Sequence, residues 1–371
     1  MNAIRRFSRL VEVARQLPEI EPPIDDPTDE EVDNYLAAQR TSMITIRELL
    51  LQPCRNRTPE NGPSWRAAFE NLQVIRNLAR VLLRSSEAHE RRDDLAGAVD
   101  EAKYCFRLGL AVRNGGLMTD YLVSVAVEGC GMHRLRRLRH IIPRELRREI
   151  IRYVEMHEAA REPYGAIADR DAVWDANFGA KIPKTTEESK DILYATELDA
   201  EERRIAEHAF REFHSGTPGE ALSRRKQQFE EPDLRILSLQ RLLRIELALM
   251  IRWRESGGYY PPLLEDLAPE YLSAVPLDPH SREPYRYRLT GEDRILYGLN
   301  AQQIDHGGLP GDVISVSCGA ADLFLDMDDY DDQELNEPWR PGFVVRMAEL
   351  FSLQWLTRTW ILNSIKRIFR V

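Results

Sequence analysis

Leu234-Arg-Ile-Leu-Ser-Leu-Gln-Arg-Leu-Leu-Arg-Ile-Glu-Leu-Ala-Leu-Met-Ile-Arg-Trp253 reads as an apolar helix that breaks at Gly257-Gly258-Tyr259-Tyr260-Pro261-Pro262. Beyond the break the spacing of apolar residues changes. Leu264, Leu267 and Tyr271-Leu272 mark a short compact segment, and Pro276 and Pro279 bracket a turn at Asp278. Tyr285, Tyr287 and Leu289 then alternate with Arg286 and Arg288, and Ile295-Leu-Tyr-Gly-Leu-Asn300 follows before Asp305-His-Gly-Gly308. A period of about 3.6 residues giving way to a period of 2 predicts a helix followed by two half-buried strands. Val313, Ile314 and Val316 offer a third strand. A small antiparallel sheet lying on the helix from Leu234 is the simplest way to close this segment.

The upstream sequence reads as helices. Pro18 to Pro27 is acidic and rich in proline, an extended linker after a short first helix. Asp29-Glu-Glu31 opens a helix whose Val32, Leu36, Met43, Ile46, Leu49 and Leu50 carry one apolar face up to Pro53. Trp65, Phe69, Leu72, Ile75, Leu78, Ala79 and Leu82 mark a longer helix. Asp93-Asp94 starts another, with Ala98, Ala102, Cys105, Phe106, Leu108 and Leu110 on its buried side. Small residues at 98 and 102 let two helices approach closely. Leu117 to Ile142 stays helical, and Pro143 restarts the pattern at Arg144. The predicted fold class is mainly α: a helical-hairpin array, a small α+β domain and a C-terminal amphipathic helix. The expected domains are 1–28 (helix and linker), 29–215 (helical), 233–320 (α+β), 321–342 (acidic linker) and 343–371 (amphipathic helix).

Composition narrows the function classes. With 61 acids against 51 bases, the net charge of −10 disfavours whole-surface binding of nucleic acid and leaves room for local basic patches. Eight arginines lie between Arg134 and Arg152, where a phosphate-binding face competes with solvated helix faces in which Glu145 and Glu149 interleave; the second reading is preferred. Cys54, Cys105, Cys130 and Cys318 lack a repeating spacing and read as reduced thiols. The N-terminal stretch reads as neither signal peptide nor membrane span, and charges cross the Leu234 helix, so a cytoplasmic protein is expected. Cys130-Gly-Met-His133 lacks partners for a four-ligand zinc site. No glycine-rich phosphate loop or nucleophile elbow occurs. Asp322 to Glu334 holds seven acids and no base, a solvated linker rather than a calcium loop because its sixth-place glycine is missing.

The string Tyr260-Pro261, Leu264, Leu267, Asp278-Pro279, Tyr285, Tyr287, Tyr297 and Gly307-Gly308 resembles the C-terminal half of the major pseudopilin of type II secretion. It also resembles bacterial proteins in which the same module follows a helical region. Residues 65–113 resemble, more weakly, a tetratricopeptide hairpin. The first resemblance implies a structural role, and a calcium ion held after the second strand, here over Asn300 to Gly308. The family's carboxylate is replaced by Gln302, leaving Asp305 and Asp312 as substitute ligands. The pseudopilin's N-terminal membrane-spanning helix has no counterpart in this sequence.

The functional expectation is a non-enzymatic structural or protein-interaction protein with an unidentified protein partner. The alternatives are a hydrolase whose site is assembled from sequence-distant residues, and an arginine-dependent nucleic-acid binder. The tail from Phe343 to Val371 places Trp355 and Trp360 in an amphipathic helix with Lys366, Arg367 and Arg370 among its five bases. That pattern suits either the protein's own core or a membrane surface.

Overall fold

The computed structural model describes residues 1–18, 28–60, 62–178, 218–291, 293–300, 303–308 and 322–325. Nine helices are described: α1 (Ala3–Ala14), α2 (Asp29–Ala38), α3 (Arg40–Leu50), α4 (Gly62–Arg91), α5 (Leu95–Arg113), α6 (Met118–Leu138), α7 (Arg144–Ala160), α8 (Tyr164–Phe178) and α9 (Pro218–Glu255). A 3-10 turn at Leu264–Leu267 leads to β1 (Arg286–Thr290) and β2 (Asp293–Tyr297). The fold is mainly α with one small antiparallel sheet, as the periodicities predict.

By packing, Met1–Arg170 and Pro232–Met327 form one compact unit, and Asp171–Glu231 with Asp328–Val371 form another. The divisions between the two units fall at 170, 231 and 327. Within the first unit there are two apolar clusters, and α5 serves both. Its Cys105, Leu108, Ala111 and Val112 pack with α1, α3 and α4. Its Ala98, Val99, Ala102 and Phe106 pack with α6, α7, α9 and the strand region. A helix apolar on most of its circumference belongs in the interior. The approach of α6 is close enough to require glycine. A Cβ on Gly131 would lie 2.8 Å from the Ala102 carbonyl oxygen, and one on Gly109 would lie 2.6 Å from Cγ of Glu128.

Local chemistry sets the ends of these helices. Thr28 caps α2 in a reciprocal capping box with Glu31, and Asp94 accepts the Gly97 N–H at the start of α5. Two expectations need correction. The helix predicted from Asp29 to Pro53 is broken at Gln39, which leaves helical geometry at φ −93°, ψ 7°. The helix predicted from Leu234 belongs to a longer one that contains Pro232.

The strand region rests on α9 as expected. Tyr285 Oη lies 3.1 Å from Ser238 Oγ, Arg294 pairs with Glu246, and Tyr287 Oη donates to the Pro261 carbonyl at 2.7 Å. β1 and β2 pair antiparallel, Arg286 facing Tyr297 and Thr290 facing Asp293. Val313, Ile314 and Val316, the expected third strand, lie outside the described residues. Instead Leu323 extends the sheet, bridging Gly298 through N–H to carbonyl bonds of 2.8 and 2.9 Å.

Candidate functional site

Asp305 sits where the resemblance implies a cation, but its oxygens are already occupied. Oδ1 accepts from Tyr297 Oη at 2.9 Å and from the Gly307 N–H at 2.8 Å, and Oδ2 accepts from Arg286 Nε at 3.2 Å. These donors hold its carboxyl below the ordinary range, the Gly307 amide contributing most. A guanidinium within hydrogen-bond reach repels a cation, so the geometry at Asp305 does not fit calcium. Among the described residues no group of three or more His, Cys, Asp or Glu side chains is placed to hold a metal ion. Asp312 lies outside the described residues.

The carboxylates that organise this end of the fold are Asp278 and Asp322, both fully buried. Asp278 accepts the N–H groups of His280 and Leu299 at 3.1 and 2.8 Å, tying the Asp-Pro turn to the end of β2. Asp322 accepts those of His306 and Gly308 at 3.2 and 2.8 Å. The acidic run was expected to be a solvated linker, yet its first residues, Asp322, Leu323 and Leu325, are buried. The cause is local. Leu323 and Leu325 alternate into the apolar cluster beneath α6 and α9, and Asp322 neutralises backbone donors that would otherwise be buried without partners.

The arginine-rich stretch is likewise less exposed than expected. Arg134, Arg139 and Arg147 are buried. Arg134 pairs with Glu90 and donates to Ser86 Oγ at 3.1 Å, while Arg147 donates to the carbonyls of Arg139 and His140 at 3.2 and 3.3 Å, beyond the end of α6. A cation at a helix C-terminus offsets the partial negative charge of the unpaired carbonyls. Arg144 and Arg148 both turn to Glu255 of α9. Trp355, Trp360, Lys366, Arg367 and Arg370 lie outside the described residues.

A buried polar assembly joins α5, α6, α7 and α9. Arg113 makes a two-pronged bond to Asp233 at 2.9 Å on each arm, with its guanidinium 4.9 Å above the Tyr121 ring. Arg161 bridges Asp233 and Glu128, lying 3.1 Å from Glu128 Oε2. Gln240 Nε2 donates to that oxygen at 3.3 Å, and His157 Nε2 stands 3.6 Å away. Burial alone would raise the Glu128 carboxyl, but Arg161, His157 and Arg113 outweigh it and hold the group at about 2. Burial likewise works against the charge on Arg113, and Asp233 restores it.

A second, shallower assembly forms where α4 turns into α5. His89 Nδ1 lies 2.8 Å from Asp94 Oδ2, and its Nε2 lies 4.0 Å from Glu101 Oε1. Glu101 is buried and bound by Arg47 at 2.6 Å, and Arg47 also donates to Ser85 Oγ at 3.2 Å. The two carboxyls flanking His89 are driven apart. Burial raises Glu101, whereas the Gly97 amide and His89 lower Asp94. An imidazole oriented by one carboxylate and facing another titratable group can exchange protons with a bound molecule.

From sequence, Asp94 reads only as a helix start and His157, beside Glu158, as a metalloprotease helix motif that lacks its second His; the other residues of these assemblies carry no mark of their own. The signal was nonetheless present: Glu101 and Glu128 interrupt otherwise apolar helix faces, where a charge implies a buried partner. The partners run from Arg47 to Gln240 along the chain, and only folding brings them together. Among family models, curated proteins and solved structures, none matches this chain.

Proposed function

We propose that the chain is a non-enzymatic structural or protein-interaction protein: a helical scaffold whose residues 65–113 form a tetratricopeptide-like hairpin and whose residues 234–308 form a pseudopilin-like module. The observation that carries this reading is that charges buried in the helical interior join helices to one another. Arg113, Glu128, Arg161 and Asp233 tie four helices at one point. Such an assembly specifies how helices meet. In this reading the chain works in the cytoplasm with a protein partner, and residues 343–371 give it a contact with the membrane surface. No described helix is long and apolar enough to cross a membrane. Nucleic acid is the less favoured partner, because three of the eight arginines that would form its footprint are internal.

A second reading, a hydrolase, is favoured by one observation, the Asp94–His89–Glu101 arrangement with its His89 side chain 29% exposed. One experiment separates the two. Native mass spectrometry of the full chain purified from its own cells is expected to yield a stoichiometric protein complex. A panel of ester, phosphate and peptide substrates is expected to show no turnover. The scaffold reading falls if turnover appears and is lost in His89→Ala.

A further inference from the structure

We propose that the outer edge of β1 is a docking site for an extended partner segment in which acidic and apolar residues alternate. The proposal names the partner surface within the protein-interaction reading above and rests on it. The argument begins with hydrogen-bond parity. Only Gly291 and Glu292 separate Thr290 from Asp293, and Gly291 has the positive φ, +67°, that tight hairpin turns require. In such a hairpin the flanking pair exchanges both backbone bonds, and every second pair does so after it. Thr290 with Asp293, Arg288 with Ile295 and Arg286 with Tyr297 are therefore the bonded pairs. Gly298 confirms the parity, because its N–H and carbonyl point away from β1 and meet Leu323.

It follows that the N–H and carbonyl groups of Tyr287 and Leu289 point outward from β1, and no described residue bonds them. Arg288, Leu289 and Thr290 are exposed, Leu289 by 44%. An open row of backbone donors and acceptors on an exposed strand is a template for another strand. The side chains of β1 decide which. Arg288 projects on one face, donating to the Gly307 carbonyl at 3.1 Å and forming no ion pair with a described carboxylate. Tyr287 and Leu289 lie on the other face. A strand added to β1 therefore meets a cation on one face and apolar surface on the other, and alternating acidic and apolar residues complement both. A second copy of β1 does not, because antiparallel pairing of Leu289 with the partner's Tyr287 sets Arg288 against Arg288.

The probes are two capped eight-residue peptides, one alternating Val and Glu and one alternating Val and Lys, added to the full chain. Binding of the Val–Glu peptide, with slowed hydrogen exchange at the Tyr287 and Leu289 amides, is the expected result. Arg288→Glu is expected to weaken that peptide by about tenfold and to favour the Val–Lys peptide instead. Leu289→Pro removes an outward donor that the β1–β2 ladder does not use, so binding is expected to be lost with the melting transition retained. Equal binding of both peptides, binding without amide protection, or protection of Leu289 by self-association before peptide is added would each overturn the proposal. If Arg288→Glu still yields the native complex, the edge is the wrong surface and the scaffold reading stands. If no complex forms with the unaltered chain, the scaffold reading itself fails.

Discussion

Glu128 and Asp278 are both buried carboxylates, but they are held in opposite ways. Glu128 lies in the helical interior, and its closest partners are side chains, two of them carrying or able to carry positive charge. Asp278 lies in the strand region, and its partners are two backbone N–H groups and the Ser281 hydroxyl. A helix satisfies its own interior amides, so a charge buried among helices must find its partner on another side chain. A loop leaves amides over, and a carboxylate there replaces missing secondary structure. The helical end is therefore vulnerable to loss of charge, and the strand end to loss of hydrogen-bond acceptors.

The largest expected effect comes from breaking the charge balance. Glu128→Gln keeps the shape but leaves Arg113 and Arg161 sharing one carboxylate, and should cost about 3–5 kcal/mol in chemical denaturation. A loss below about 1 kcal/mol would mean that the cluster is solvated and the contrast empty. Acid should act through the same group. Its carboxyl, normally at 4.5, is held at about 2 in the fold, so its contribution is fully present above 4.5 and disappears as pH falls through about 2. The unaltered protein should lose on the order of a few kcal/mol over that window, and Glu128→Gln should flatten that limb of the curve. An unchanged slope in the variant would assign the acid sensitivity elsewhere.

Asp278→Asn sharpens the comparison from the other side. It keeps one acceptor of two and should cost about 1–3 kcal/mol, with faster hydrogen exchange confined to Leu299 and His280. Equal loss of protection in α5 and α6 would show the two ends to be one cooperative block. The smallest effect is expected for Tyr287→Phe, which removes a single bond to the Pro261 carbonyl and should shift stability by about 1 kcal/mol. A loss as large as that of Asp278→Asn would mean that the Tyr-Pro turn depends on this hydroxyl.

The same contrast explains what could be read from the residues alone. Apolar periodicity is local, so the helices from Ala3 to Ala160 and the strands around Tyr287 and Ile295 were legible. The break at Gln39 was not, because Leu36 and Met43 stay in phase across it. Charged partners are not local. Arg113 and Asp233 meet across 120 positions, and among 61 acids nothing marks Asp233 as the one that matters. Asp305 was legible as a polar loop residue, but the resemblance suggested a cation where Arg286 now stands. Asp322 was hidden by its neighbours, since seven acids between Asp322 and Glu334 read as solvent-facing until Leu323 and Leu325 are seen to alternate inward.

The bond from the Gly308 N–H to Asp322 has a bearing on how this chain can be altered. It fastens together the two ends of the segment 309–321, thirteen residues long. Once the ends of a segment are fixed, doubling its length adds only about 0.6 kcal/mol of closure entropy. The bonds that Asp322 accepts from His306 and Gly308 thus fix where the chain leaves this end of the fold and where it returns, whatever its length between.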